Sequence, residues 1–307
     1  MKNLGWLFYR TYFDLGSLQK TINNVQQQNE YDVVEETIEK FFKERNETFF
    51  KEKFEPNEWL KVVPDDDEHR FKLTTTYPGL LSGSGVSHET GKLNELKLGF
   101  SFDHTTGLPY LPGSTVKGAI RQAFPNHLRK KAVRVKDLKE REKLLRKADE
   151  LDVYCIFLFK EYLKIDITTR QLLEFEWLVF EGKKVENKNE IMVEYAIFFQ
   201  KMVESSLGVY ESDIFYDACV SESLHEKKLF LGNDFITPHR NPLKNPIPIQ
   251  FLKVLPNVVW SFQFDLKNTK LSDSITISAA QKLALFQTII KDLGIGAKTN
   301  VGYGRLK

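Results

Sequence analysis

Two stretches of the chain carry residue types that could hold an anion. The first is the last fourteen residues, Gly294-Ile-Gly-Ala-Lys-Thr-Asn-Val-Gly-Tyr-Gly-Arg-Leu-Lys307, in which Gly294, Gly296, Gly302 and Gly304 alternate with Lys298, Thr299, Tyr303 and Arg305. Glycine permits positive φ and a close backbone approach, so such a loop can turn several N–H groups toward one phosphate. The second is Thr106-Gly-Leu-Pro-Tyr-Leu-Pro-Gly-Ser-Thr-Val-Lys-Gly-Ala-Ile-Arg121, where Gly113 and Ser114 precede a basic helical segment. A helix amino end has unsatisfied N–H groups and a favourable dipole for negative charge.

The elements around these stretches must hold them in place. From Ser278 to Leu293, Leu283, Phe286, Ile289, Ile290 and Leu293 form a helical apolar stripe, and Ser278 with Gln281 has capping-box spacing. Gly294 stands where a left-handed C-terminal cap is expected, and a short strand is expected from Tyr303. The loop is not a Walker A motif, because no Gly-Lys-Ser/Thr opens a helix, and it lacks the strand-first setting of a dinucleotide fingerprint. In the second stretch Pro109, Pro112 and Gly113 predict a tight loop, Ser114 is the expected N-cap, and Val116, Ile120 and Phe124 make an i, i+4, i+8 stripe. Lys117 and Arg121 share a different face.

Elsewhere the pattern is mixed. Trp6, Leu7, Phe8, Tyr9, Tyr12 and Phe13 form an aromatic arm that packs either on its own core or on a neighbouring subunit. Tyr31 to Phe54 reads as a charged helix with Val34, Ile38, Phe41 and Phe42 on one side. Phe71 to Tyr77 and Leu96 to Asp103 read as strands. Between them lies a stretch rich in Gly and Ser that contains His88. Arg129 to Lys147 holds ten basic and three acidic residues, and suits either RNA backbone or a solvated insertion. Tyr154 to Phe159 is of strand or buried-helix type, Phe175 to Phe180 reads as a strand and Glu190 to Leu207 as a helix. Phe230 to Thr237 is a strand, and Gln250 to Leu255 with Val258 to Leu266 reads as a hairpin, Val258, Trp260, Phe262 and Phe264 alternating with polar neighbours. Strand–helix units at both ends of the chain suit an α+β, ferredoxin-like sheet.

Composition sets wider limits. With 307 residues, 41% apolar and 28% charged, the chain is of globular type and long enough for a sizeable core. Lys plus Arg (44) nearly balances Asp plus Glu (42), so any nucleic-acid surface must be local. Cys155 and Cys219 have neither disulfide-framework nor zinc-site spacing, which fits a reducing cytoplasm. The aspartates of Asp65-Asp66-Asp67 read as a solvated turn, so no metal is expected. Membrane spans and a signal peptide are not expected either.

Taken together, the glycine loop, the loop-helix through Arg121 and the strand region ending Gly83-Ser-Gly85 resemble the RAMP superfamily of CRISPR proteins. Asp234-Phe-Ile-Thr-Pro-His239 and Asn245-Pro-Ile-Pro-Ile-Gln-Phe-Leu-Lys-Val254 resemble, within it, the sixth-subunit family of type III-B (Cmr) effector complexes. The resemblance covers Phe71 to Phe124 and Phe230 to Lys307. It implies an RRM-like fold over residues 66–307, with a mainly helical insertion at about 126–228 and an N-terminal helical extension over residues 1–65. It also implies a non-catalytic, cofactor-free subunit that caps the backbone filament near the 3′ end of the guide RNA in antiviral defence. The implied partners are guide RNA, target RNA and other Cmr subunits, especially those of the backbone, with no membrane or small-molecule substrate.

The resemblance implies RNA contact through the glycine loop and the basic face after Pro112-Gly113, at Gly113, Ser114, Lys117, Arg121, Gly294, Gly296, Lys298, Thr299, Gly302, Tyr303 and Gly304, and the residue chemistry agrees. Backbone N–H groups and cations read no sequence; Ser114, Thr299 and Tyr303 add hydrogen bonds, and Tyr303 a stacking ring. His88, His239 and Arg240 are further candidates. Two other classes compete. A metal-independent endoribonuclease would use His88, His104 or His239 as general base, with Lys298 or Lys117 stabilising developing charge. A protein-docking module would touch no RNA.

Overall fold

The computed structural model describes residues 3–26, 31–55, 68–83, 95–185, 204–236 and 248–307. The chain opens with α1 (Leu4–Trp6), continued by a π turn over Leu7–Tyr12, then α2 (Leu15–Gln26) and α3 (Tyr31–Lys51). Strands β1 (Arg70–Thr74), β2 (Lys97–Leu98), β3 (Ser101–Phe102) and β4 (Pro109–Leu111) lead into α4 (Gly113–Arg121), α5 (Asn126–Arg134), α6 (Leu138–Leu158) and α7 (Thr169–Glu176). There follow β5 (Lys183–Val185), β6 (Glu204–Ser206), β7 (Ile214–Phe215), β8 (Ala218–Ser223), β9 (Leu231–Ile236), β10 (Ile249–Val254), β11 (Val258–Asp265), β12 (Thr269–Lys270), β13 (Thr276–Ile277) and α8 (Ala279–Leu293).

The central sheet runs β1–β11–β8–β4–β3, antiparallel throughout, with β7 continuing the line of β8 along β11. The C-terminal Leu306 forms an antiparallel bridge to Thr75, just past β1. The chain order β1, α4, β8, β11, α8 and the C-terminal bridge is therefore a ferredoxin-like βαββαβ unit, with the bridge, β1, β11 and β8 side by side. Strand β8 lies within the segment expected to be a mainly helical insertion, yet it sits in the middle of this sheet.

Strand β11 shows why the centre is here. Val258, Trp260, Phe262 and Phe264 are buried, while Ser261 and Gln263 are only half-buried. That period-two face receives α8, whose Phe286 ring lies 5.8 Å from Phe264. Helix α8 itself begins at the expected capping box, Ser278 and Gln281 exchanging backbone and side-chain bonds.

The expected hairpin from Gln250 to Leu266 does not form. Strand β10 pairs with β9 and β2 in a separate sheet, and β11 pairs with β1 and β8. Thr75 is the reason. Its N–H donates to Val258 O (2.9 Å), its hydroxyl to Leu255 O (2.7 Å), and its Oγ1 accepts from Val258 N (3.0 Å). A buried threonine thus takes the bonds that a two-stranded ladder would have used, and the chain turns between sheets at Asn257, φ +61°.

Two further expectations change. Leu96 to Asp103 is not one strand but β2 and β3, split at Gly99, whose carbonyl accepts from Ser82 N and Gly83 N. Phe175 to Phe180 is helical rather than extended: Thr168 and Gln171 form a capping box for α7, and a π turn completes it. Leu172, Phe175, Glu176, Trp177, Val179 and Phe180 are all buried, so burial is not confined to one helical face and leaves no clear period to read. Tyr154 to Phe159 ends α6 and enters the following π turn. Glu190 to Val203 lies outside the described residues, and Glu204–Ser206 is a strand.

The aromatic arm packs on its own chain. Phe8 stacks on Tyr12 (5.1 Å), and the Tyr12 hydroxyl donates to Asn46 on α3 (2.7 Å) and accepts from Leu96 N (2.6 Å). In the helical part, Arg129 is buried against Asp152 and Asp149, so it is not part of a solvent-facing basic surface. Nearby, burial pushes the Glu176 carboxyl up to about 8, although Asn126 N–H donates to it (3.1 Å). The folded chain therefore retains a proton that the unfolded chain releases near the ordinary carboxyl value. This contribution to stability is full below that value and is lost as pH rises through about 8. Thermal melts of Glu176→Gln should accordingly lose less stability than wild type between about pH 5 and about pH 8.5.

Candidate nucleic-acid interface

The C-terminal loop is built by backbone contacts that no side chain could share. Ile295 N–H donates to Gly304 O (2.9 Å), Gly304 N–H to Gly79 O (2.8 Å) and Ala297 N–H to Leu81 O (2.6 Å). A Cβ on Gly304 would lie 1.9 Å from Ile295 O, and one on Gly296 2.1 Å from Leu81 O. Both residues have positive φ, +70° and +101°. Gly294 also has positive φ (+77°), but with ψ 178° it lies outside the left-handed helical conformation expected of the cap, in a region open to glycine, and its N–H still closes the last turn on Ile290 O (2.9 Å). Lys298 is left-handed and exposed, and starts a 3-10 turn over Thr299–Val301 that Gly302 ends.

The two sequence motifs meet. Thr115, Gly118, Ala119 and Gln122 form one side of α4, continuing just beyond its end. They line a groove of about 280 Å³ with Leu293, Gly294, Ile295, Gly296 and Thr299 of the loop, and Ser82 closes it. Gly118 has nothing within 4 Å of a Cβ position, so it opens the groove floor. These α4 residues and Ser82 carry little chemical signal in the sequence; spacing by three and four from Thr115 is the trace they leave.

Several expected residues stand elsewhere. The N-cap of α4 is Pro112 rather than Ser114, its carbonyl accepting from Thr115 N and Val116 N; Ser114 is exposed in the first turn. Gly113 packs against Phe215 O, and its N–H already donates to Asp217 Oδ1 (2.7 Å). A carboxylate thus sits at the helix end where a phosphate was expected. Lys117 and Arg121 lie off the groove. The Lys117 ammonium is 5.5 Å from the Phe215 ring, and burial lowers its pKa, with Glu181 opposing that shift. Arg121 pairs with Glu181, to which Lys130 also donates (3.1 Å).

Tyr303 is 7% exposed. Its ring packs 6.0 Å from Phe251, and its hydroxyl donates to Asp234 Oδ2 (2.6 Å), which Lys253 also reaches (2.6 Å). It therefore braces the loop from below. The exposed ring beside the loop is Tyr77, 84% exposed, next to Pro78, whose Cδ lies 3.4 Å from a Cβ position on Gly302. His104 is exposed, and its carbonyl accepts from Asn3 (3.1 Å). His88, His239 and Arg240 lie outside the described residues. Among the described residues no cluster of three or more His, Cys, Asp or Glu could hold a metal, and no helix is long and apolar enough to cross a membrane.

The sequence model of the RAMP superfamily matches residues 72–307, from β1 to the last residue and including both walls of the groove. The chain belongs to the RAMP superfamily. One RAMP relative, the CRISPR system Cmr subunit Cmr6 of Pyrococcus furiosus, is 28% identical over 227 residues; the match takes in 65% of this chain and 58% of that relative's length. A chain in the cryo-EM structure of the Type III-B Cmr-beta bound to cognate target RNA shares the RAMP fold. It has a TM-score of 0.57 at 16% identity, over 100% of this chain and 90% of that one.

The glycines divide into two kinds, and substitution should separate them. Gly304→Ala forces a backbone clash at positive φ and should lower the melting temperature by several degrees or prevent folding. Gly118→Ala meets open space in a helix and should be stabilising by up to about 1 kcal/mol. Chemical denaturation of the two variants beside wild type checks both signs.

Proposed function

We propose that this RAMP protein is a non-catalytic, RNA-binding structural subunit of a type III-B CRISPR effector ribonucleoprotein. In that role it caps the backbone filament near the 3′ end of the guide RNA. The observation that carries the reading is the convergence of the glycine loop and α4 on a single groove. RNA backbone crosses the groove and meets the hydroxyls of Thr115 and Thr299 and the exposed Lys298, whereas the N–H groups of Gly294, Ile295, Ala297, Val301, Gly302 and Gly304 are already bonded within the chain. Contacts of this kind position a strand without reading its sequence, as a subunit serving many guides requires. Tyr77, rather than the buried Tyr303, offers the ring on which a base stacks. The Cmr6 relative supports the choice of complex. Guide and target RNA and the neighbouring Cmr subunits, above all those of the backbone, are the proposed partners. The reading needs no cofactor and places the protein in the cytoplasm.

A native pull-down from the source cell, with RNA sequencing, tests the assembly. Recovery of guide RNA together with other CRISPR subunits is expected. Recovery of the protein alone, or with unprocessed precursor RNA, overturns the capping role and favours the endoribonuclease. Binding to single-stranded RNA tests the groove. Lys298→Ala should reduce the dependence of log affinity on log salt by about one charge's worth. Tyr77→Ala should weaken binding by about tenfold with that dependence unchanged, because stacking is worth ~1–3 kcal/mol per base. Unchanged affinity and slope in both variants would sink the proposed interface.

A further inference from the structure

Beside the groove lies a second cavity, of about 450 Å³, within the helical part of the chain. Gln122, His127, Leu128, Lys147, Glu150 and Leu151 line it. Its size falls in the range of small-ligand pockets, and its walls combine two leucines with amide, imidazole, ammonium and carboxylate groups. The two depressions are neighbours that share one wall residue. Gln122, at the end of α4, lines each of them. On the opposite side Leu151 of α6 lines the cavity and Leu293 of α8 the groove. One helical turn along α6 from Leu151, the Tyr154 hydroxyl donates to Asp292 Oδ2 (2.9 Å), next to Leu293.

The polar atoms of the cavity suit RNA. His127 Nδ1 lies 2.7 Å from Phe124 O, and a carbonyl only accepts, so Nδ1 carries the proton and Nε2 is the acceptor of the neutral ring. Burial lowers the pKa of this imidazole and keeps it neutral near pH 7. A neutral acceptor suits a ribose 2′-hydroxyl, which DNA lacks. Lys147 is exposed and makes no ion pair among the described residues, whereas Glu150 is partly compensated by Arg146 (3.5 Å). The available cation is therefore Lys147, at the cavity mouth.

Resting on the RNA-binding reading above, we propose that single-stranded RNA leaving the glycine-loop groove passes Gln122 and places its next nucleotide in this cavity. Lys147 meets the phosphate, His127 the 2′-hydroxyl, and Leu128 and Leu151 the base. The helical part of the chain is then a second RNA subsite.

Fluorescence anisotropy with oligouridylates of about four and about twelve nucleotides tests it, because the shorter one fills only the groove. The full-length wild type should bind the longer RNA more tightly. Lys147→Glu, on an exposed helix face, should lose about fivefold or more on the longer RNA and nothing on the shorter. His127→Asn keeps a donor for Phe124 O but removes Nε2, and should bind long RNA and long DNA more equally than wild type does. Wild-type affinity for the long RNA in both variants, with discrimination unchanged, overturns the subsite and leaves the groove intact. Failure of wild type to bind either length overturns the RNA-binding reading, and this proposal with it.

Discussion

Two backbone segments approach each other here more closely than any L side chain allows. The loop after α8 lies against residues 79–81, where Gly296 leaves room for Leu81 O about 2 Å from where a Cβ would stand, and within the loop Gly304 does the same for Ile295 O. Through this contact the last residues reach β1, where Thr74 and Lys307 exchange two backbone hydrogen bonds (2.9 and 3.0 Å). The ferredoxin-like unit closes by that pairing. Because the loop is tied to β1 on one side and continues α8 on the other, it is held at a fixed height above α4. The groove between them is a consequence of how the sheet is completed, and its shape does not depend on long flexible side chains.

Polar groups around the groove divide by what they satisfy. Tyr303, Asp234 and Lys253 satisfy one another beneath the loop, and the two hydrogen bonds and nearby ammonium hold the Asp234 carboxylate below its usual range despite partial burial. Asp217 satisfies the amino end of α4. Arg121 and Lys130 share Glu181. At the base of α8, Lys282 is buried on Asp213 (2.5 Å) and Thr269 (3.0 Å), which anchors the helix that carries the loop. These pairs are internal supports, costly to break because one partner would remain buried and unpaired. What lines the groove is glycine, Ser82, Thr115, Ala119, Gln122, Thr299 and the apolar Leu293 and Ile295, with the exposed Lys298 next to Thr299 at its edge, a surface that offers a polyanion contacts without sequence readout.

Much of the fold was legible because local rules and tertiary packing agreed. The Ser278–Gln281 capping box, the apolar stripe of α8 and the alternation of β11 each state their structure within one element. Failures came where a distant residue decided. Thr75 separates β10 from β11, although their spacing reads as a hairpin, because its backbone and hydroxyl hydrogen bonds come from almost two hundred residues away. In the stretch Phe175 to Phe180 every residue but the half-buried Leu178 is buried, so it carries no readable period.

At the candidate site the sequence by itself determined that the glycine loop exists, that it follows a helix, and that a second helix follows the Pro112-Gly113 stretch, although with Ser114 rather than Pro112 as its expected N-cap. Glycine and proline report backbone constraints that are local. Only the tertiary structure decided which side chains these elements show each other. It turned Thr115, Gly118 and Gln122 to the groove and Lys117 and Arg121 away from it; it also buried Tyr303 and left Tyr77 in solvent. Residue type names the chemistry a side chain can do, but exposure and partners come from elements brought together across the chain, and no spacing within one segment contains them.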